Sequence, residues 1–235
     1  TGKNGTEISY EGGWQVTRPH GLHDDQLFVE NIKEELDTPG EWFWDREEKM
    51  LYYFPLEGED VRGETVQAAV ISEIIRVEGS IDNPVRGLSI SGLHFTGTER
   101  MFKEPYEVLL RSDWGILRKG VITLSGTENC VIENCEFHDL GGNAIFITGY
   151  AAGDRISGNH IHHVGGSAIC LVGETSAVRS GAFGYSEYVP YEKMDKVPGP
   201  ANGLYPRECL VEDNLIHDLG QLEKQVAGVG IQTAA

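Results

Sequence analysis

Three histidine-led dipeptides, His138-Asp139, His162-His163 and His217-Asp218, recur at intervals of 24 and 55 residues. A histidine beside a carboxylate can take up and pass on a proton near neutral pH, the core of general acid/base chemistry. If the dipeptides stack on successive turns of a repeating fold, Asp139 and Asp218 stand two strand spacings apart, roughly 9.6 Å. That is the upper edge of the ~6.5–9.5 Å range in which one carboxyl can protonate a leaving group while another activates water. His163 would lie between them, about one spacing from each, which favours its charged form. Repetition suits structure equally well. A turn residue that satisfies its neighbours' backbone groups recurs in every copy, and so does a charge ladder.

A second group has no repeated counterpart. Glu223-Lys224-Gln225 sits in a short insertion, 221–227. A carboxylate next to an ammonium suits acid/base work or the binding of hydroxyl groups, and the alternative is a solvated ion pair. Tyr185, Tyr188, Tyr191 and Trp114 lie in longer insertions, where aromatic rings either stack on a ligand or pack the loop. His20, His23, Asp24 and Asp25 are metal-ligating types at close spacing, but with no helix or hairpin to converge them they read as a solvated loop. Four cysteines occur with no Cys-x-x-Cys spacing. No metal and no cofactor are expected.

The element that must position these groups is the repeat itself. The run from Cys130 through Val131, Ile132, Phe137, His138 and Gly141-Gly142 to Ala144, Ile145 and Ile147 is matched 24 residues later by Asp154, Arg155, Ile156, Ile161, His162, Gly165-Gly166, Ala168, Ile169 and Leu171. A third copy begins at Cys209, with Val211, Asn214, Ile216, His217, Gly220 and Gly228-Val229-Gly230-Ile231. Each copy holds two short segments of period two, which are strands, joined by glycine-containing turns. None has the length or period of a crossover helix. The spacing predicts a parallel β-helix in which Ile132, Ile156 and Val211 form one internal ladder, Phe137, Ile161 and Ile216 a second, and Ile147, Leu171 and Ile231 a third. An earlier, irregular coil aligns Ile90 with Ile132 and Phe95 with Phe137. Three insertions interrupt the repeat, at 97–119, 173–207 and 221–227, and loops on a rigid scaffold are where function concentrates.

The chain has 235 residues, 30 of them Gly, and a formal charge of −18. So acidic a chain argues against nucleic acid and anionic membrane as partners, and neutral sugars are the obvious neutral class. No apolar run approaches the ~18 residues of a membrane span. Cys130 and Cys209 fall at the same place two coils apart, roughly 9.6 Å and beyond the ~7 Å reach of a disulfide, so four free thiols, mostly buried, are expected. Residues 1–65 read as an N-terminal cap containing an aromatic hairpin, Glu41 to Asp45 and Met50 to Pro55 about a polar turn, packed over the solenoid of residues 66–235. The last strand has no polar cap after it, which leads to the expectation that the natural protein continues beyond Ala235.

Phe28-Val29-Glu30-Asn31-Ile32, Glu35-Leu36-Asp37-x-Pro39-Gly40-Glu41-Trp42, Leu51-Tyr52-Tyr53-x-Pro55, the Asn-x-Ile-His-Asp coils and Glu223-Lys224-Gln225-Val226-Ala227-Gly228-Val229 together resemble the right-handed β-helix proteins of the pectate-lyase-like superfamily, most nearly the glycoside hydrolase family 141 type. The resemblance spans nearly the whole chain. It implies an all-β, right-handed parallel β-helix of about 24 residues per coil, and hydrolysis of plant cell-wall polysaccharide by a secreted, periplasmic or cell-surface protein. Similar proteins are longer at both ends, and one catalytic carboxylate is expected on coils outside this chain, so the isolated piece should show little activity. The residues set in these roles are Glu223, Asp218 and Asp139 as catalytic groups and Lys224, Gln225, His163, Tyr191 and Trp114 as substrate contacts. Two other readings stay open. A polysaccharide lyase would need clustered carboxylates for Ca²⁺ and an Arg or Lys base, and no Asp-x-Asp cluster stands on the coils. A non-catalytic module would bind carbohydrate without cleaving it.

Overall fold

The computed structural model describes residues 30–101, 104, 107, 108, 115–183, 187–223 and 225–233. The chain divides into two units, 1–67 and 68–235. In the first, Trp42–Asp45 and Met50–Tyr53 pair antiparallel as the expected hairpin. Its turn follows from two residues. The Asp45 carboxylate accepts the backbone N–H groups of Glu47 and Glu48, both at 3.0 Å, and Lys49 takes up the left-handed conformation (φ 54°) that brings the chain back.

The second unit is a parallel β-helix built from three sheets. The first holds Ser89–Ser91, Val131–Glu133, Arg155–Ser157 and Leu210–Glu212. The second holds His94–Thr96, Glu136–Leu140, His160–Val164 and Leu215–His217. The third and longest holds Ile75–Glu78, Ile122–Glu128, Ile145–Ala152, Ile169–Val172 and Val229–Gln232. Every neighbouring pair is parallel, and in the first two sheets the register is the one the repeat dictates: Ile90, Ile132, Ile156 and Val211 stack, as do Phe95, Phe137, Ile161 and Ile216. In the third, the pairing of Ile145–Ala152 with Ile122–Glu128 shifts register between Thr148 and Ala151. Leu124, Ile147, Leu171 and Ile231 form the third ladder. A strand alternates its faces, so these positions share the inward face; Ile132, Phe137, Ile147, Ile156 and Ile161 are fully buried, Val211 and Ile216 are partly buried, and Ile231 on the last coil is exposed. Phe95 and Phe137 stack face to face with centroids 4.8 Å apart.

The corners explain the composition. Left-handed backbone recurs at three corners: Gly87, Asn129, Gly153 and Glu208 at one; Gly92, Asn134, Gly158 and Asp213 at the next; Gly97, Asp139, His163 and Asp218 at the third. Gly escapes the Cβ clash of that conformation, and Asn, Asp and His are the side chains that tolerate it best. Buried polar groups then close the backbone bonds the corners leave open. Asn159 Oδ1 accepts the Cys135 N–H at 3.0 Å, and Asn214 Oδ1 accepts the Asn159 N–H at 3.0 Å. Asp154 does the same for Cys130. This is the backbone role that the repetition suggested for the histidine ladder; asparagine and aspartate fill it instead.

Cys130 and Cys209 flank Asp154 on one ladder, two coils apart, and all four cysteines are free, Cys209 half-buried and the rest buried. Among the described residues no helix is long and apolar enough to cross a membrane.

Candidate functional site

Most outward-facing positions of a β-helix meet water, but part of the third sheet's outer face is covered. Phe146, Cys170 and Val172 pack there with Ile116 as a small apolar cluster outside the main core. Ile116 belongs to a two-stranded antiparallel ribbon, Glu107–Val108 with Gly115–Ile116, raised by the insertion 97–119. Arg118 fastens that insertion down. Its guanidinium donates to Glu107 Oε2 at 2.5 Å and Oε1 at 3.1 Å, to Thr148 Oγ1 at 2.7 Å and to the Gly173 carbonyl at 2.9 Å, and lies 3.7 Å from Glu174. A planar fork of donors is the group that can hold a carboxylate bidentately and still reach two coils. Beside it, Lys119 Nζ pairs with Glu104 at 3.0 Å, and Asn143 Nδ2 donates to the carbonyls of Leu117 and Lys119.

Next to this clamp, the insertion 221–227 turns back over the same sheet. Gly220, in the left-handed region at φ 66°, starts the turn, and the backbone N–H of Glu223 donates to the Gly165 carbonyl at 2.8 Å. A Cβ on Gly220 would come within 2.7 Å of the Glu223 carbonyl oxygen. Between the two insertions lies a cavity of about 40 Å³ lined by Leu117, Phe146, Ser167, Glu223, Gln225 and Gln232, among others. At ~10–15 Å³ per water it has room for a hydroxyl or a few waters, not for a whole sugar ring. Glu223 lies close enough to Cys170 for its charge, after burial, to add to the rise of that thiol's pKa to about 12.

Of the residues singled out from sequence, Glu223 and Gln225 are therefore brought together in one pocket. Asp139, His163 and Asp218 form the expected ladder at the third corner, but with different partners. Asp139 Oδ2 bonds His138 Nδ1 at 2.8 Å, Asp218 Oδ2 bonds His217 Nδ1 at 2.7 Å, and His163 turns its Nδ1 to His162 Nδ1 at 2.8 Å. Instead of bridging two carboxylates, His163 has Asp218 alone as an ion-pair partner among the described residues, at 3.9 Å. The left-handed corner explains the change, because it aims each corner side chain at the histidine just before it. Tyr191 lies exposed in the insertion 173–207 with Lys196 Nζ 3.9 Å from its ring centroid. Lys224, Trp114, Tyr185, His20, His23, Asp24 and Asp25 fall outside the described residues.

Sequence reasoning missed what gathers on the outer face of the second sheet. His160, His162 and His217 crowd together with His94, Glu136 and His138. The ring centroids of His160 and His162 are 4.2 Å apart, and His162 is stacked between His138 and His217 at 5.5 and 5.2 Å. Glu136 takes His162 Nε2 at 3.3 Å and His94 Nδ1 at 3.1 Å. The bond from His162, then the charges of the other histidines, holds the Glu136 carboxyl below its ordinary value. The signal was present in His160-Ile161-His162, where alternation about the inward Ile161 sends both imidazoles outward.

No curated protein matches this chain. Residues 114–183 match the family model described as "Right handed beta helix region". A solved structure of a protein named "Glycoside hydrolase" superposes with a TM-score of 0.61 at 19% identity, over 82% of this chain and 35% of that one, so the chain spans about a third of that protein's length. Together with the parallel registers, these likenesses establish the fold as a right-handed parallel β-helix.

Proposed function

We propose that this chain is part of a carbohydrate-active glycoside hydrolase, with its cleft on the outer face of the third sheet beneath the insertions 97–119, 173–207 and 221–227. The observation that carries the reading is the convergence of Glu223, Gln225, Gln232 and Ser167 in one pocket, where two insertions meet over a rigid sheet. Hydroxyl and amide groups on a fixed floor suit a neutral, hydroxyl-rich polymer, and the pocket's size suits one sugar hydroxyl entering from a chain that lies across it. The structural neighbour named a glycoside hydrolase supports the same class. Glu223 is the general acid or base at the scissile bond, and Gln225 and its neighbour in sequence, Lys224, take hydroxyl groups. Hydrolysis of this kind uses a second carboxyl. Asp218 is the candidate, because it stacks on His163 at the corner where the Gly220 turn departs, two residues before the Gly165 carbonyl that receives the Glu223 N–H. Asp139 lies two coils from Asp218, on His138, and is the alternative partner. Plant cell-wall polysaccharide is the proposed substrate, and a secreted, periplasmic or cell-surface location follows from it.

A lyase needs a carboxylate cradle for Ca²⁺; the convergent donor group among the described residues is made of histidines, a poor match for so hard a cation. The test is release of reducing ends from a panel of plant polysaccharides by the full-length protein and its Glu223→Gln variant. Turnover lowered by ~10²-fold or more with the fold intact is expected. Equal turnover removes Glu223 from the mechanism. Binding without turnover in either protein would favour the non-catalytic module.

A further inference from the structure

The outer face of the second sheet is a grid. Along its strands, alternate residues face outward, and across them successive coils stand one spacing apart. The grid rows read His94 and Thr96, Glu136 and His138, His160 and His162, then Leu215 and His217. Three of its imidazoles converge. One ring nitrogen each from His160, His162 and His217 lies within 4.8 Å of the others, and the Nε2 atoms of His160 and His217 are 2.9 Å apart. Two nitrogens bound to one tetrahedral zinc at ~2.0–2.1 Å are themselves roughly 3.3 Å apart, so the free rings already stand close to a ligand's spacing. Glu136 Oε1 lies 3.3 Å from His162 Nε2 and 3.7 Å from His160 Nδ1, which places a carboxylate oxygen at the edge of the same triangle.

The outer partners fix which nitrogens are available. Asp218 Oδ2 accepts from His217 Nδ1, so the proton of neutral His217 sits on Nδ1 and its Nε2 presents a lone pair to the cluster. His162 Nδ1 is held by His163 Nδ1, so Nε2 is the nitrogen that faces inward to the triangle, where it donates to Glu136 Oε1 and would give up that proton on binding a cation. A carboxylate or imidazole behind each ligand is the arrangement that orients metal-binding histidines. The His160 and His217 Nε2 atoms face each other at hydrogen-bond distance, a bond that His160 Nε2–H donates to the His217 lone pair and that a shared cation would replace.

We propose that His160, His162 and His217 form a binding site for a first-row divalent transition cation, zinc or nickel in type, with Glu136 as the adjoining carboxylate donor and Asp218 and His163 as the groups that orient His217 and His162. Three imidazoles and a carboxylate select borderline cations over calcium or magnesium. His160 and His162 belong to one coil and His217 to the next, so the ion ties two coils together, and the 31 residues by which the interval from His162 to His217 exceeds the 24-residue repeat are closed off by it. The three ligating histidines lie on a different sheet from the pocket of Glu223; Asp218 is shared with the proposed active site, but binding of the ion does not depend on the hydrolase reading.

The test uses the untagged protein, stripped with chelator and titrated with Zn²⁺ by calorimetry, with melting followed in parallel. One ion per chain is expected, with a rise in Tm on saturation, and Co²⁺ in its place should give the intense visible bands of a tetrahedral site. His217→Ala and His160→Ala should each abolish binding, whereas Asp218→Asn should weaken it by ~10–100-fold. His138→Ala, which removes only a stacked neighbour, should bind as the parent does. Circular dichroism of the metal-free variants separates lost binding from lost fold, and His160→Gln serves if the alanine variants do not fold. No saturable binding by the parent, or parent-like binding by the His160→Ala, His217→Ala double variant, overturns the proposal; the latter would move the ion to other donors such as His20 and His23.

Discussion

Asp154 and Cys130 meet across one coil: a carboxylate oxygen of fully buried Asp154 accepts the Cys130 backbone N–H at 2.8 Å, while its other oxygen holds the Thr127 hydroxyl at 2.5 Å. Burial pushes the Asp154 carboxyl above its ordinary value, against the pull of these two bonds. A raised folded pKa gives stability that is fully present below the unfolded pKa and is lost as pH rises through the folded one. An asparagine keeps the acceptor for Cys130 and has no charge to bury, as Asn159 shows one corner further on. Asp154→Asn should therefore gain on the parent as pH rises from acid to neutral, by about 1 kcal/mol, whereas Asp154→Ala orphans the Cys130 N–H and should cost about 1–3 kcal/mol. Melting curves at a series of pH values read both, and a parent that outlasts the Asn variant increasingly toward neutral pH would reverse the sign claimed.

Gly141 marks where the first insertion crosses the helix. Its backbone is not left-handed, yet a Cβ there would stand 2.1 Å from the Glu99 carbonyl oxygen and 2.5 Å from the Arg100 nitrogen, and its own carbonyl accepts the Met101 N–H at 3.0 Å. Gly141→Ala must push backbone against backbone and should cost at least ~1–3 kcal/mol. Gly92 is the counter-case: it is left-handed at φ 67° with open space around its Cβ, so Gly92→Ala pays only the ~1–2 kcal/mol of conformational strain. Denaturant unfolding of the two variants should rank Gly141→Ala as the worse.

How far the molecule could be read in advance follows from where its information is local. The ladder of Ile132, Ile156 and Val211 was legible because the 24-residue period and strand alternation together fix register, and the fold followed from it. Of the three corners only the third was legible, as the ladder of Asp139, His163 and Asp218, and its left-handed geometry was not. Arg118 was not assigned a partner, since an insertion has no repeat to set its register, and Glu107, Thr148 and Gly173 come from three separate stretches. The imidazole cluster failed for a related reason: His162 and His217 were aligned, but the contribution of His160 and Glu136 depends on which face each side chain takes and on rotamers that repetition does not determine. The His163 geometry was misjudged because spacing places backbones, while the corner backbone aims side chains.

The thiols offer a check on register in solution. Burial pushes Cys170 up to about 12 and also raises Cys130 and Cys209, so little thiolate exists in the native protein near neutral pH. Native labelling with a thiol reagent should be slow, with half-buried Cys209 first. In denaturant without reductant the count should be four, the number of free cysteines. A count of two or fewer would mean a disulfide, which the two-coil separation of Cys130 and Cys209 forbids.

Arg118 is the single side chain on which the shape of the proposed cleft turns. It holds Glu107 of the insertion against Thr148 of one coil and the Gly173 carbonyl of the next, with Glu174 nearby, and its side chain and that of Glu107 are 22% and 31% exposed. Arg118→Met keeps the stem that packs and removes every one of those bonds, leaving two glutamates facing one another without a countercharge. Loss of a fully buried pair costs about 3–5 kcal/mol; partial exposure and solvent screening reduce that here to about 1–2 kcal/mol. The loss should be local. Hydrogen exchange should quicken at the amides of Glu107 and Ile116 while those of Ile147 and Ile156 keep their protection, because the three inward ladders do not depend on the clamp. On polysaccharide, the same variant should raise KM more than it lowers kcat, since the wall that positions the chain is loosened while Glu223 stays in place. Uniform loss of protection across the coils would show instead that Arg118 supports the helix as a whole, and unchanged exchange at Ile116 would show that the insertion is held down by Asn143 and the apolar contact with Phe146 without it.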